Sequence, residues 1–289
     1  MRVSDRPLGI QFWGVRGSLP SPGMSTAGVG GNTSCVEIYL GDQRIILDAG
    51  TGIRELGESL KASGPLDAAL LLSHLHWDHI QGFPFFEPLF DPASKLRIYG
   101  NPEEGSIEDA LRRQMAPPTF PITLDKLPAQ LEFAAIDLEA PLLIGDFTVR
   151  AARLNHPNSV LAYRIDCGGC SVVYATDTEH YADRIDESLI ELAKDADVLI
   201  YDSMFTDDEY QGLAGASRQG WGHSTWQEGI KVADAANVEK LILFHHDPRR
   251  SDSQVGRIEA QAAAIRPGTV AARENMRLML NCKRERKAA

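Results

Sequence analysis

Apolar and polar positions along this 289-residue chain fall into two rhythms. At first they form short apolar runs punctuated by glycine, serine and proline. GIQFWGVRG runs into the loop SLPSPGMSTAGVGGNTS, and CVEIYL and RIILD then predict a hairpin with a buried second strand. IRELGESLKASG predicts a short helix ended by Gly64. LDAALLLSH is an unbroken apolar run of strand length and predicts a buried strand. Residues 83–140 are less regular. PEEGSIEDALRRQMA predicts a helix, with acids early and Arg112 and Arg113 late as the helix dipole prefers, and PPTFPITLDKLP predicts an extended, proline-broken loop. Beyond residue 141 the second rhythm begins. The runs LLIGDFTVRAARLNH, VLAYRIDCGG and CSVVYATD read as strands. They are followed by helix DESLIELAKDA, strand DVLIYDSMF, helix STWQEGIKVADAANV, strand KLILFHH, helix SQVGRIEAQAAAI and a final strand, RENMRLML. Strands first, then strands alternating with helices, predict sheets covered by helices on their outer faces. The expectation is one α/β domain over residues 1–289, with residues 83–140 an irregular insertion.

Composition narrows the function. The chain is 43% hydrophobic and 24% charged, ordinary for a globular protein. It has no apolar run approaching the ~20 residues needed to span a bilayer. The opening MRVSDRPLGIQFWG has no apolar signal core, so no membrane partner is expected and the cytoplasm is the expected compartment. The net charge of −11 weighs against a nucleic-acid polymer as partner, because such affinity is built from Lys and Arg contacts to phosphates. It leaves room for a small anion drawn in by bound metal. CGGC has CxxC spacing, but Gly168 and Gly169 between two alternating runs read as a hairpin turn.

The candidate chemistry lies at the ends of the apolar runs. RIILD ends in Asp48, LLLSHLHWDH in His74, His76, Asp78 and His79, ARLNH in His156, SVVYATD in Asp177, DVLIYD in Asp202, and KLILFHH in His245 and His246. Ligand sites gather at the carboxyl ends of strands in layered α/β folds. Three imidazoles crowded together repel when protonated and need many partners when neutral; a divalent cation removes both problems. His74 and His76 lie on one side of an extended segment and can grip one ion. Asp78 and His79 follow a turn and suit a second ion, for which His156, Asp177 and His245 are available as further ligands. Asp177 has two oxygens and could bridge. Two adjacent ions polarise a substrate oxygen and lower the pKa of water.

HLHWDH resembles the HxHxDH motif of the metallo-β-lactamase superfamily. The downstream order of LDAG, His156, TDT and His245 is similar too, over nearly the whole chain. The resemblance implies a four-layer αββα sandwich. It gives His74, His76 and His156 to one divalent ion, and Asp78, His79 and His245 to another, with Asp177 bridging and Asp48 orienting ligands from behind. The ions implied are zinc, manganese, nickel or iron. His246 competes with His245 for the last place, and His180 reads as a surface or hydrogen-bonding residue.

GHSTWQEGIKVA is similar to the HST motif of the tRNase Z and phosphoribosyl cyclic phosphodiesterase branch, which carries over Asp202 and His223 as a carboxylate–histidine pair able to protonate a leaving oxygen. FWGVRGSLPSPG…GGNTSCVE also looks like the cyclic phosphodiesterase group, in which homodimers are common. The chain lacks the long Gly/Pro-rich basic insertion that would hold a tRNA. The resemblance therefore implies metal-assisted hydrolysis of a small or cyclic anionic phosphodiester, with Asp78, His223 and Asp202 as catalytic residues; the aromatics and prolines of the 112–128 loop suit a rigid pocket wall over the site. The alternatives are a thioester or lactam hydrolase on the same fold, which does not need the Asp202–His223 pair, and a tRNA 3′-processing endonuclease.

Overall fold

The computed structural model describes residues 6–281. Two seven-stranded sheets form among these residues. The first holds β1 (Leu8–Gly14), β2 (Cys35–Leu40), β3 (Gln43–Leu47), β4 (Asp67–Leu71), β5 (Lys95–Gly100), β6 (Gln130–Ala135) and β14 (Arg277–Leu280), in the order β14-β1-β2-β3-β4-β5-β6. The second holds β7 (Leu142–Ile144), β8 (Phe147–Leu154), β9 (Val160–Cys167), β10 (Cys170–Ala175), β11 (Val198–Asp202), β12 (Lys240–Phe244) and β13 (Val270–Ala271), in the order β13-β12-β11-β10-β9-β8-β7.

Strand alternation decides which core each residue enters. On β3, Ile45 and Leu47 face the space between the sheets, while Ile46 faces outward. The outward residues meet α1 (Gly52–Leu60), whose Ile53, Leu56 and Leu60 recur at helical spacing, and α3 (Ile107–Gln114), through Ile107 and Leu111. Between α1 and α3 lies α2 (Trp77–Ile80). On the far side α4 (Glu187–Ala193), α6 (Trp226–Ala235) and α7 (Asp252–Ile265) cover the second sheet, and α5 (Asp207–Gln211) follows β11. This is the expected αββα sandwich. Rings bridge its middle layers: Phe244 of β12 lies 6.1 Å from Phe12 and 5.6 Å from Tyr174. Among the described residues no helix is long and apolar enough to cross a membrane.

Residues 83–140 depart from the expectation of irregularity. They include β5 and β6, which extend the first sheet by parallel pairing with β4 and with each other. CGGC turns as predicted, with Cys167 opposite Cys170 in the β9–β10 hairpin.

The pairing directions place the site. Strands β3 and β4 run parallel, as do β10, β11 and β12. β8 and β10 are both antiparallel to β9, so β8 points with β10. The carboxyl ends of these six strands therefore open on one edge of the sandwich.

Candidate metal centre

Each strand end delivers its polar residue to a common point. Asp48 follows β3, His74 lies three residues beyond β4, His156 two beyond β8, Asp177 two beyond β10 and His245 one beyond β12, while Asp202 closes β11. His76 caps α2, which carries Asp78 and His79. Asp48, Asp177 and His245 have left-handed backbone, with φ of 61°, 52° and 59°. Such strain in non-glycine residues persists only where the surroundings hold it.

Two groups of donors result, each with its ligand atoms within 4.8 Å of one another: His74, His76, His156 and Asp177, and Asp78, His79, Asp177 and His245. A third grouping replaces Asp78 and His79 by Asp202 and His223. It shares Asp177 and His245 with the second group, and His223 Nδ1 is already held by Asp202 Oδ2 at 2.8 Å, so it describes the neighbourhood of the pair rather than another ion site.

The donor set fits metal ions. Asp177 Oδ1 lies 3.2 Å from His79 Nε2 and 3.1 Å from His245 Nε2, and Asp78 Oδ2 lies 3.3 and 3.5 Å from the same two nitrogens. Ligands held at about 2.0–2.2 Å from one tetrahedral ion are separated by such distances. The nitrogens His74 Nε2, His79 Nε2, His156 Nε2 and His245 Nε2 are buried without a hydrogen-bond partner, a costly state that coordination relieves. In three of them the opposite ring atom is occupied, while His245 Nδ1 is also buried without a partner. His79 Nδ1 meets Asp48 Oδ2 at 2.8 Å, His156 Nδ1 meets Gly222 O at 2.8 Å, and His74 Nδ1 meets Ser73 Oγ at 3.1 Å. Hydrogen bonds of this kind fix the tautomer of a ligating imidazole. His76 is turned the other way, with Nε2 at 2.6 Å from Asn158 Nδ2.

The electrostatics point the same way. Burial, and then the charge of His79, push the His74 pKa well below the ordinary range. Burial opposes a charge on His79 too, but Asp177, Asp78 and Asp48 outweigh it and hold its pKa well above that range. The carboxyls of Asp78 and Asp177 lie well below theirs: burial works against the charge, and His79 and His245 overcome it. Negative oxygens locked among imidazoles in a dry site are a receptor for cations.

His223 sits beside this centre, stacked 5.0 Å from the His245 ring and edge-on 5.7 Å from the His156 ring. Burial lowers its pKa, but the charge and hydrogen bond of Asp202 raise it, with a net result of about 9. Asp202 is itself held by the backbone N–H groups of Thr178 and Met204. His223 does not cap α6; Thr225 does.

His245, not His246, joins the cluster. His246 donates from Nε2 to Ala272 O at 2.9 Å, and burial pushes its pKa down to about 3. His180 hydrogen-bonds Ser224 Oγ and packs on Tyr210. Phe120, in the proline-rich loop, meets Phe85 edge-on at 5.7 Å, and Phe85 lines a cavity of about 470 Å³ with the glycine-rich loop at residues 20–32.

Sequence reasoning missed several supports. Ser18 N donates to Asp78 Oδ2 at 2.7 Å. Ser73 and Tyr174 both donate to Asp48. Glu179 accepts from Gly220 N, Gly222 N and Tyr210 OH, and so holds the loop whose Gly222 carbonyl orients His156 and whose next residue is His223. Its position two residues after Asp177 was the one available signal.

Comparison with known proteins identifies the family and the fold. The family model described as beta-lactamase superfamily domain matches residues 43–246. The Ribonuclease Z of Methanosarcina mazei is 26% identical over 94% of this chain and 97% of its own. The probable metallo-hydrolase YhfI of Bacillus subtilis is 27% identical over 83% of this chain and 90% of its own. Its crystal structure superposes with a TM-score of 0.71 over 95% of this chain and 99% of that one. A diphosphatase from the PhnP family superposes with a TM-score of 0.70 at 18% identity, over 94% and 97% of the two chains.

Proposed function

The chain belongs to the β-lactamase superfamily as a metallo-hydrolase, and on that premise we propose that it is a binuclear phosphodiesterase acting on a small or cyclic phosphodiester. In this reading His74, His76 and His156 hold one divalent ion, Asp78, His79 and His245 the other, and Asp177 both. Bound there, the ions supply Lewis-acid polarisation of the phosphoryl oxygens and readying of water. Zinc is the first candidate, since a set of imidazoles and carboxylates suits it, with manganese, nickel or iron as alternatives.

The observation that carries the phosphodiester reading is the Asp202–His223 pair beside the ligand cluster. Hydrolysis of a diester expels a poor leaving oxygen, which gains from a proton in the transition state. Asp202 fixes His223 Nδ1, which leaves Nε2 to deliver that proton. Asp78, steadied by Ser18 N, accepts the proton of the attacking water. A thioester or lactam hydrolase has no use for this pair. Cleavage of RNA near a tRNA 3′ end is the second reading, favoured by the relatives named Ribonuclease Z. The net charge of −11 weighs against it.

The test combines elemental analysis of the purified protein with turnover of bis-p-nitrophenyl phosphate, 2′,3′- and 3′,5′-cyclic nucleotides, a precursor tRNA and a lactam. Cyclic nucleotides should be cleaved best. His223→Ala should slow their alkoxide-expelling hydrolysis by about 10²–10⁴-fold, and slow the p-nitrophenolate reaction far less, because that leaving group needs no proton. Equal loss on both diesters, or turnover of the lactam alone, would overturn the reading.

A further inference from the structure

A cavity of about 470 Å³ opens between the loop at residues 20–32 and the segment that follows α2, a size typical of small-molecule sites. Pro20, Pro22, Ala27 and Phe85 give it apolar walls, and Arg54 and Glu274 are the charged residues of its lining. Arg54 is paired with Glu55. Glu274 is held by backbone: a carboxylate has about four acceptor sites, and the N–H groups of Asn32, at 2.5 Å, and Gly31 use two of them. Burial works against its charge and raises its pKa, so it stands to gain from further donors. The loop itself is fixed from outside. Arg16, fully buried, donates from Nε to Gly30 O at 2.7 Å, and the Asp252 carboxylate accepts from Gly28 N and Val29 N, each at 2.8 Å. Gly30 has φ of 107°, and a β-carbon there would lie 2.3 Å from Glu274 Cγ, so the glycine lets the carboxylate into the wall. Phe85 is 56% exposed and braced edge-on by Phe120. These contacts reach no proposed metal ligand; what they preserve is the shape of the cavity.

The cavity and the metal centre share the α2 segment. Gly82, in the cavity lining, stands three residues beyond His79 and donates from its N–H to Ala49 O. It packs on Gly50, where a β-carbon would lie 2.5 Å from Asp78 O. Pro20, also in the lining, is two residues from Ser18, whose N–H meets Asp78 Oδ2 at 2.7 Å. Two residues of chain cover at most about 7 Å, so the cavity wall begins within that distance of a residue bonded to Asp78. Leu19 between them is 54% exposed, which leaves the route along the surface.

We propose that this cavity receives the base of a nucleoside phosphodiester whose phosphate lies at the metal centre, with the ring against Phe85 and two adjacent N–H donors on Glu274. Guanine is the base that presents such a pair, through N1 and N2. Adenine sets an acceptor beside its amino group, and uracil flanks its one N–H with carbonyls; a carboxylate repels both arrangements. The inference rests on the phosphodiesterase reading above and narrows its substrate to nucleosides, guanosine first, with Glu274 and Phe85 setting the choice.

The experiment measures kcat/KM of the metal-loaded full-length protein on the 2′,3′-cyclic phosphates of guanosine, inosine, uridine and methyl ribofuranoside, which has no base. Guanosine should exceed uridine by about tenfold or more, as a charge-assisted hydrogen bond supplies, and inosine, which lacks the N2 donor, should fall between them. Glu274→Gln keeps an oxygen for Asn32 N and turns an amide toward the base, so the guanosine preference should fall close to one. Phe85→Ala should cut the preference for guanosine over the base-free compound by about fivefold or more, the share of one stacked base, and Phe85→Tyr should keep most of it. Circular dichroism and metal content establish that the variants are folded and loaded. Guanosine itself, with no phosphate to offer the metals, should bind the chelated protein in saturation-transfer NMR and lose that signal with Glu274→Gln. Equal rates on the four diesters, or a guanosine preference that survives both Glu274→Gln and Phe85→Ala, overturns the base site and leaves the diesterase reading standing. If the wild type cleaves none of the four, that reading falls, and guanosine binding decides the base site by itself: a Glu274-dependent signal sustains it, and no signal removes it.

Discussion

Replacing Asp48 by asparagine tests how the ligands proposed for the second ion are held. Asp48 is fully buried and acts only as an acceptor. One oxygen takes Ser73 N at 2.7 Å, and the other takes Tyr174 OH and His79 Nδ1, each at 2.8 Å. An asparagine has the same shape but places two hydrogens at one end. If the amide faces Ser73, two N–H groups meet and neither can turn. If it faces His79, Tyr174 can become the acceptor, but His79 must give up the proton on Nδ1 and carry it on Nε2, where the ion should bind. Either orientation loses at least one charge-assisted hydrogen bond, worth about 1.5–3 kcal/mol. At about 1.4 kcal/mol per factor of ten, this is roughly a 10–150-fold weaker second metal-binding step. The first step should change less, because His76 and His156 are oriented by Asn158 and Gly222 rather than by Asp48. Stepwise constants from competition against a fluorescent chelator, at fixed pH, measure both. A second constant within about twofold of wild type, in a variant of normal thermal midpoint, would refute the claim that Asp48 sets the His79 tautomer.

Other outcomes follow from the same geometry. Asp202→Asn should reproduce much of the His223→Ala loss on cyclic nucleotides while metal content stays unchanged; normal turnover would separate the two residues. Glu179→Ala frees the Gly220 and Gly222 amides and should lower turnover with a rise in mobility of residues 219–223 in hydrogen exchange, and Glu179→Gln should recover part of it; unaltered exchange would refute the clamp. Chelation should lower the thermal midpoint by several degrees, since ligand at a hundredfold excess over Kd contributes about 2.7 kcal/mol per site. Burial raises the Cys167 pKa to about 11, above that of an unfolded thiol, so this group's contribution to stability is present below about pH 9 and is lost as pH rises toward 11; iodoacetamide at pH 8 should label Cys167 in denaturant and spare it in the native protein. Phe120→Ala should alter the choice among diesters and leave metal content intact.

Much of the site was readable because its chemistry obeys a local rule. Most of the candidate ligands emerge within three residues of the end of an apolar strand, and His76, Asp78 and His79 follow in the short helix after β4, so the run that buries itself also announces where the polar residues emerge. The αββα layering was readable from the same runs. What stayed hidden lacks such a run. β5 alternates half-buried and buried positions among turn-forming neighbours, and β6 is an edge strand with mostly exposed side chains. Glu179 was hidden for another reason: its partners are backbone amides 41 and 43 positions later, and no residue type marks an N–H group in a sequence. The Asp48–Tyr174 contact likewise joins the two sheets, which only the folded register reveals.

The left-handed backbone at Asp48, Asp177 and His245 carries an evolutionary consequence. A residue with a β-carbon pays about 1–2 kcal/mol to adopt that shape, and glycine does not. Under heat selection in the presence of a chelator, glycine should therefore accumulate at Asp177 and His245 and yield hardier, inert descendants, whereas with metal present the loss of about 2.7 kcal/mol per bound ion outweighs that gain. A library screened jointly for survival and turnover should keep all three side chains and find its added robustness elsewhere.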